Sequence, residues 1–269
     1  MPDLELLRRI DAYLDAVPRS ACRAEPVGPF TLFVNVRRGW SYYARPTPGA
    51  ERISPGDVDG VRARQRELGV SEALEWVHDL VPDVGPAAAR TGLSVITHPL
   101  MHLPLRAFVA ATTPQDAVVR AVAPDDDLAR IGAVAQVAFA SAVTAAGPAG
   151  PEALTPIAGA ADPSVTAFVR ERIEDGITVT VAAFVNGEPV ASGAHQPVGD
   201  ATEIVGVACL PAYRRRGLGA AVTSLLVRDA LARGVTTVCL SADDDDVARV
   251  YARLGFVVVG AVGAADPPA

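Results

Sequence analysis

Apolar residues near the start of the chain recur with a helical period. Leu4, Leu7, Ile10, Leu14 and Val17 stand three and four residues apart, which predicts a helix over residues 4–17 with one face on a core. Shorter apolar runs follow, and residues 30–36 and 41–44 predict two strands joined by a tight connection at Arg37, Arg38 and Gly39. A charged helix is expected over residues 57–68 after the turn Ser54-Pro55-Gly56, and a second over residues 72–80, stopped near Pro82. Residues 93–105 predict one or two strands, interrupted by Pro99 and Pro104. The polar stretch Thr112-Thr113-Pro114-Gln115-Asp116 contains a helix breaker and separates two apolar regions, so a domain boundary is expected there, giving 1–116 and 117–269.

The second part reads more regularly. A strand is expected over residues 118–122, a helix over 126–140, a Gly/Pro/Ala loop over 146–151 and a helix over 165–174. Residues 178–185 and 189–196 flank Asn186-Gly187, a strong hairpin signal, and a strand over 203–210 follows the turn Gly199-Asp200. A helix over 218–233, a strand over 237–240, a helix over 245–254 and a strand over 256–259 complete the pattern. Helices interleaved with strands around a hairpin meander give an α/β (α+β) fold with a mixed sheet, preceded by a smaller N-terminal α/β domain.

The chain has 269 residues, half of them hydrophobic, and a net charge of −7. Residues 1–116 hold 13 arginines against 14 acids, and the remainder 11 against 17, so the acidity sits in the second part. A surface of that sign repels phosphate backbones and anionic headgroups, which argues against nucleic-acid or membrane partners and favours a cationic small molecule or basic peptide. Cys22, Cys209 and Cys239 are odd in number and widely spaced, which suggests neither a disulfide framework nor a zinc site; no metal is expected. With no apolar stretch of about 18 residues and a charged N-terminus, the expected location is cytoplasmic. The sequence sets no oligomeric state.

The segment with chemical content is Val207-Ala208-Cys209-Leu210-Pro211-Ala212-Tyr213-Arg214-Arg215-Arg216-Gly217-Leu218-Gly219-Ala220, read as strand, loop and helix. Its glycines let backbone approach a ligand, and the amides of a first helical turn point at an anion such as a pyrophosphate. A plain helix start beside a solvated basic cluster is the simpler alternative. A dinucleotide fingerprint would need a third glycine in phase, and a P-loop would need Gly-Lys-Ser/Thr; neither is present.

In this order the segment resembles the acetyl-coenzyme A signature of the GNAT superfamily of N-acetyltransferases, Arg/Gln-x-x-Gly-x-Gly/Ala, here Arg214 to Gly219. Downstream, the stretch from Asp246 through Tyr251 to Leu254-Gly255-Phe256 is similar to that superfamily's late helix, which ends in a tyrosine and then Leu-Gly-Phe. The resemblance covers residues 118–262 and implies a GNAT-like, mainly antiparallel sheet flanked by helices. It also implies direct transfer of an acetyl group from acetyl-CoA to a primary amine of a small molecule or peptide in a ternary complex. The backbone of Val207, Ala208 and Cys209 would hold the pantetheine arm, and amides of Arg215, Arg216, Gly217, Leu218, Gly219 and Ala220 the pyrophosphate. Tyr251 would protonate the departing thiolate, with a packed aromatic beside Phe256 as the alternative. An oxyanion would find the amide of Val207 or Cys209. Where the family often has asparagine seven residues before the tyrosine, this chain has Asp244, so that contact is not carried over; the run Asp243 to Asp246 reads as helix capping.

An alkylamine with pKa of about 10.4 arrives protonated, so a base is needed. Glu203, opening the strand of the cofactor contacts, is the candidate, acting directly or through water; an exposed strand-end glutamate is the alternative. His195 is a further candidate base. Residues 1–116 resemble a degenerate, noncatalytic GNAT-like lobe without a phosphate loop, either scaffold or a wall of the acceptor pocket built from Trp40, Tyr42, Tyr43 or Trp76. The competing function is a noncatalytic acyl-CoA-binding regulatory module, supported by Asp244 and the unassigned base.

Overall fold

In the computed structural model, residues 3–36, 42–141 and 145–268 are described; the predicted connection through Arg37, Arg38 and Gly39, together with Trp40 and Ser41, lies outside them. The carboxylate of Asp3 accepts the amides of Glu5 and Leu6 at 3.1 Å and opens α1 (Leu4–Ala16), which buries Leu7, Ile10 and Leu14. The chain continues through β1 (Cys22–Val27), β2 (Phe30–Asn35), β3 (Ala44–Pro46), α2 (Pro55–Leu68), β4 (Leu74–Val77), α3 (Val84–Arg90) and β5 (Ser94–His102). Then come β6 (Val118–Ala121), α4 (Leu128–Phe139), α5 (Leu154–Gly159), α6 (Pro163–Glu174), β7 (Val179–Val185), β8 (Glu188–His195) and β9 (Ala201–Cys209). The last elements are α7 (Leu218–Ala232), β10 (Thr237–Ser241), α8 (Asp245–Ala252) and β11 (Val257–Asp266).

The chain forms two compact units. The first holds residues up to Met101 with Ser241–Asp244 and the chain from Val258 onward; the second holds His102–Leu240 with Asp245–Val257. These units exchange segments that a single boundary at 116 keeps in sequence order: residues 102–116 sit in the second unit, and most of β11 sits in the first.

In the first unit the strand order is β1-β2-β3-β4-β11-β5. Pairing is antiparallel for β1/β2, β2/β3 and β4/β11, and parallel for β3/β4. Residues 72–80, expected as a helix, instead contain β4. Leu74 and Trp76 are fully buried, while Glu75 between them pairs with buried Arg45, and this period of two fits a strand. Trp76 faces Gly263 of β11, where a Cβ would fall 2.3 Å from the indole; the glycine makes room for the ring. The core gathers Phe30, Leu32, Val58, Val61, Leu74, Trp76 and Val84 around it. β1 and α3 have no clear signal in the sequence, because Arg23, Glu25 and Pro26 hide the first and Gly85 and Pro86 the second.

In the second unit the order is β10-β9-β8-β7-β6, antiparallel throughout except for the parallel pair β9/β10. Ala182 of β7 packs with Leu128 and Ile131 of α4, while Gly193 of β8, opposite Val181, abuts Val222 and Leu226 of α7. Adjacent strand residues face opposite ways, so α4 and α7 cover opposite faces of this sheet. Asn186-Gly187 closes the β7–β8 hairpin with both residues at positive φ (52° and 82°), as its sequence predicts. Each unit is thus mixed α/β with a mostly antiparallel sheet flanked by helices, the fold class expected. No helix among the described residues is long and apolar enough to cross a membrane.

Candidate active site

β9 organises the site. It pairs along β8 as far as Cys209, but its parallel pairing with β10 covers only Ala201, Thr202 and Glu203. From Ile204 onward its other edge leaves the ladder, which opens a gap where an extended ligand could pair with strand backbone. Opposite Gly193 the β8–β9 register slips, and Gly206 there takes φ +61°, a left-handed conformation suited to glycine. Sequence reading passed over Gly206, although a lone glycine within a strand pattern is the usual mark of such a bulge.

Beyond β9, Pro211–Tyr213 forms a single 3-10 turn and the three arginines diverge in use. Arg214 is spent on backbone, donating to the carbonyls of Cys209 (3.2 Å), Ala145 (2.8 Å) and Ala138 at the end of α4 (2.7 Å). Arg215, exposed and at φ +63°, makes no ion pair among the described residues. Arg216 lies over the Tyr213 ring, 5.2 Å from its centroid, and is ion-paired with Asp116. Gly217, at φ +83°, then opens α7 without a side-chain cap. The first intrahelical bond runs from the Ala221 amide to the Gly217 carbonyl at 3.0 Å, so the amides of Leu218, Gly219 and Ala220 precede the helical ladder. Positive φ at 215 and 217 beside an uncapped helix start forms a concave set of N–H donors with the helix dipole behind it, the chemistry of an anion cradle.

Tyr251 stands on the last turn of α8, half-buried, with its ring edge-on to Phe256 at 6.0 Å between centroids. Desolvation pushes its phenol up to about 12, so it stays protonated at neutral pH. Gly255, at φ +98°, follows; a Cβ there would lie 2.0 Å from the Ala107 carbonyl oxygen, so only glycine lets the backbone of residues 105–109 pass so closely. That segment is a strap on the second unit. Leu103 donates to the Val238 carbonyl (2.9 Å), Val109 to Leu254 (3.0 Å) and the Ala111 amide to the Ser224 hydroxyl of α7 (2.9 Å).

Glu203 is half-buried and forms the last β9/β10 pair with Cys239, whose thiol is pushed well up by its own burial and, secondarily, by the Glu203 charge. Cys209 is similarly raised, to about 11, chiefly by desolvation, so its thiol is undissociated at neutral pH. His195 is fully buried, its ring nitrogens held by Thr202 (3.0 Å) and Asp229 (2.9 Å), with desolvation lowering its pKa. Both ring nitrogens are thus engaged within the fold. Trp76 is likewise buried in the first unit's core; Tyr42 is half-buried and Tyr43 exposed. Asp245 and Asp246 lie in the first turn of α8, where carboxylates suit the dipole. A cavity of about 340 Å³ at the β6 edge is lined by Arg120, Arg130 and Phe184, and none of the residues singled out above borders it. Its arginines are ion-paired with Asp126 and Glu188, both at 2.7 Å.

Residues 152–256 match the model of the acetyltransferase (GNAT) family. No curated protein matches the chain. Among solved structures, a GCN5-related N-acetyltransferase from Kribbella flavida is similar over 98% of this chain and 96% of its own, with a TM-score of 0.72 and 21% identity. An acetyltransferase of the GNAT family from Novosphingobium aromaticivorans matches over 94% and 92%, with a TM-score of 0.54 and 19% identity. A tandem GNAT protein from the clavulanic acid biosynthesis pathway matches over 89% and 79%, with a TM-score of 0.55 and 15% identity. These likenesses establish a GNAT-like fold that extends over both units.

Proposed function

With residues 152–256 a GNAT acetyltransferase domain as premise, we propose that the protein moves an acetyl group from acetyl-CoA to a primary amine of a small molecule or peptide by direct transfer. The observation that carries this reading is the uncapped start of α7, reached from a strand whose edge has left its ladder. Acetyl-CoA, when bound, supplies an acyl group activated as a thioester. The amides of residues 215–220 fit its pyrophosphate, and the free edge of Val207, Ala208 and Cys209 fits its amide-bearing arm. Tyr251 holds a proton on Oη for the leaving sulfur. Its acidity, weak in water, suits a thiolate released into surroundings that raise thiols as well. Glu203 takes the proton of the ammonium, directly or through water. Cys209, undissociated at neutral pH, is a poor nucleophile, which supports transfer without an acetyl-enzyme. The first unit is a noncatalytic GNAT-like lobe and the second carries the transfer, with a cytoplasmic location.

The test is a thiol-release assay with acetyl-CoA and a panel of polyamines, aminoglycosides, amino acids and peptides. Amine-dependent release is expected. Coenzyme binding without release on any amine would replace the enzyme by a noncatalytic acyl-CoA-binding regulatory module.

A further inference from the structure

Resting on the coenzyme reading above, we propose that Asp116 is a resident anion of the cradle: it occupies Arg216 in the free protein, and a coenzyme phosphate displaces it. Of the three loop arginines, Arg214 is consumed by three carbonyls, so Arg215 and Arg216 are the side-chain cations left to meet a phosphate. The Asp116–Arg216 pair therefore neutralises half of that charge. Asp116 is also held in place. The Ala117 amide donates to the Pro114 carbonyl at 3.0 Å, closing a turn with Asp116 at its third position. On one side β6 begins at once with the pair Val118↔Phe184, and on the other Ala111 is tied to α7 through Ser224. The carboxylate is thus presented from a backbone fixed at both ends, and the side chains of the pair are exposed enough (57% and 35%) for a ligand anion to exchange with it.

Arg216 keeps its seat on Tyr213 in either state, so the exchange needs no rearrangement of the loop. Asp116 becomes an affinity-setting residue that weakens coenzyme binding and speeds release. Such an exposed pair is worth little in absolute terms, so the effect is modest and salt-dependent.

Calorimetric titration of coenzyme A into the full chain tests this. Asp116→Asn is expected to tighten binding about three- to fivefold at low salt, with the gain shrinking as salt rises. In an Arg216→Gln background the same change is expected to gain nothing, a coupling that a merely structural Asp116 would not show. Unchanged or weaker binding by Asp116→Asn, or an equal gain without Arg216, overturns the proposal while leaving the coenzyme site standing. Absence of binding by the unaltered chain overturns the coenzyme reading itself, and this inference with it.

Discussion

Helices α2 and α7 occupy equivalent places in two crossovers, β3–α2–β4 and β9–α7–β10, each joining parallel strands. Their first turns are finished in opposite ways. At α2, Ser54 and Asp57 form a reciprocal capping box: the Ser54 amide donates to Asp57 at 2.8 Å and the Asp57 amide to Ser54 at 3.3 Å. The serine also donates to the carboxylate at 2.6 Å, and these bonds hold the Asp57 carboxyl below its usual range. That first turn has already been given its anion. At α7 the cap is Gly217, which has no side chain to offer, and the preceding loop brings arginine instead of acid. Similar architecture therefore yields an open first turn in one unit and a sealed helix in the other, and the difference lies in a few residues at a helix start.

The largest expected effect separates chemistry from binding. Tyr251→Phe keeps the ring against Phe256 and removes the proton, so turnover should fall by about 10² to 10³ while coenzyme affinity holds. A rate near that of the unaltered protein would leave Tyr251 as packing alone. Next, Ala220→Asp places a carboxylate at the helix position that Asp57 holds in α2. The coenzyme Kd should rise roughly 30-fold, the upper range of a charge at a helix terminus, with far-UV circular dichroism unchanged. Affinity retained in that variant would break the comparison, since the open first turn would then not be the site. Smaller still is the converse change. Ser54→Ala with Asp57→Ala should cost about 1 to 2 kcal/mol in urea unfolding and create no second coenzyme site, because the segment leading into α2 offers the single arginine Arg52, beside Glu51, where α7 has both Arg215 and Arg216.

How far these features could be read from sequence depended on whether their cause was local. The β7–β8 hairpin and α7 were legible because each carries its own turn residues or periodicity. The strand β4 was not: Glu72, Ala73, Leu74 and Glu75 are good helix formers, and what decides the matter is pairing with β11 and the fit of Trp76 over Gly263, both far along the chain. The strap of residues 102–116 has no period at all. Its bonds go singly to Val238, Leu254, Ser224 and Arg216, so it reads as a linker although it fixes the turn after Tyr251. Within the site, the glycines of the loop were visible as a motif. The division of labour among Arg214, Arg215 and Arg216 was not, because it is set by carbonyls and a carboxylate distant in sequence.

The smallest effect concerns acid, where the buried polar groups of the two units respond with opposite sign. In the second unit His195 has a folded pKa below its ordinary 6.5, because burial disfavours the imidazolium more than Asp229 favours it. The neutral form belongs to the folded state, so this contribution is present above about pH 6.5 and is lost as pH falls through the lower, folded value. In the first unit Asp11 is raised above 3.8, again mainly by burial, against the pull of Arg45. Its protonated form belongs to the folded state, so its contribution is complete below pH 3.8 and is lost as pH rises through the folded value. Acidification from pH 7 should therefore loosen the second unit first, by at most about 1.4 kcal/mol per pH unit for a single proton. Amide exchange resolved by segment should show protection falling in β8 and α7 while β3 and β4 hold. His195→Gln should flatten that fall, and a parallel loss in both units would remove His195 as its cause.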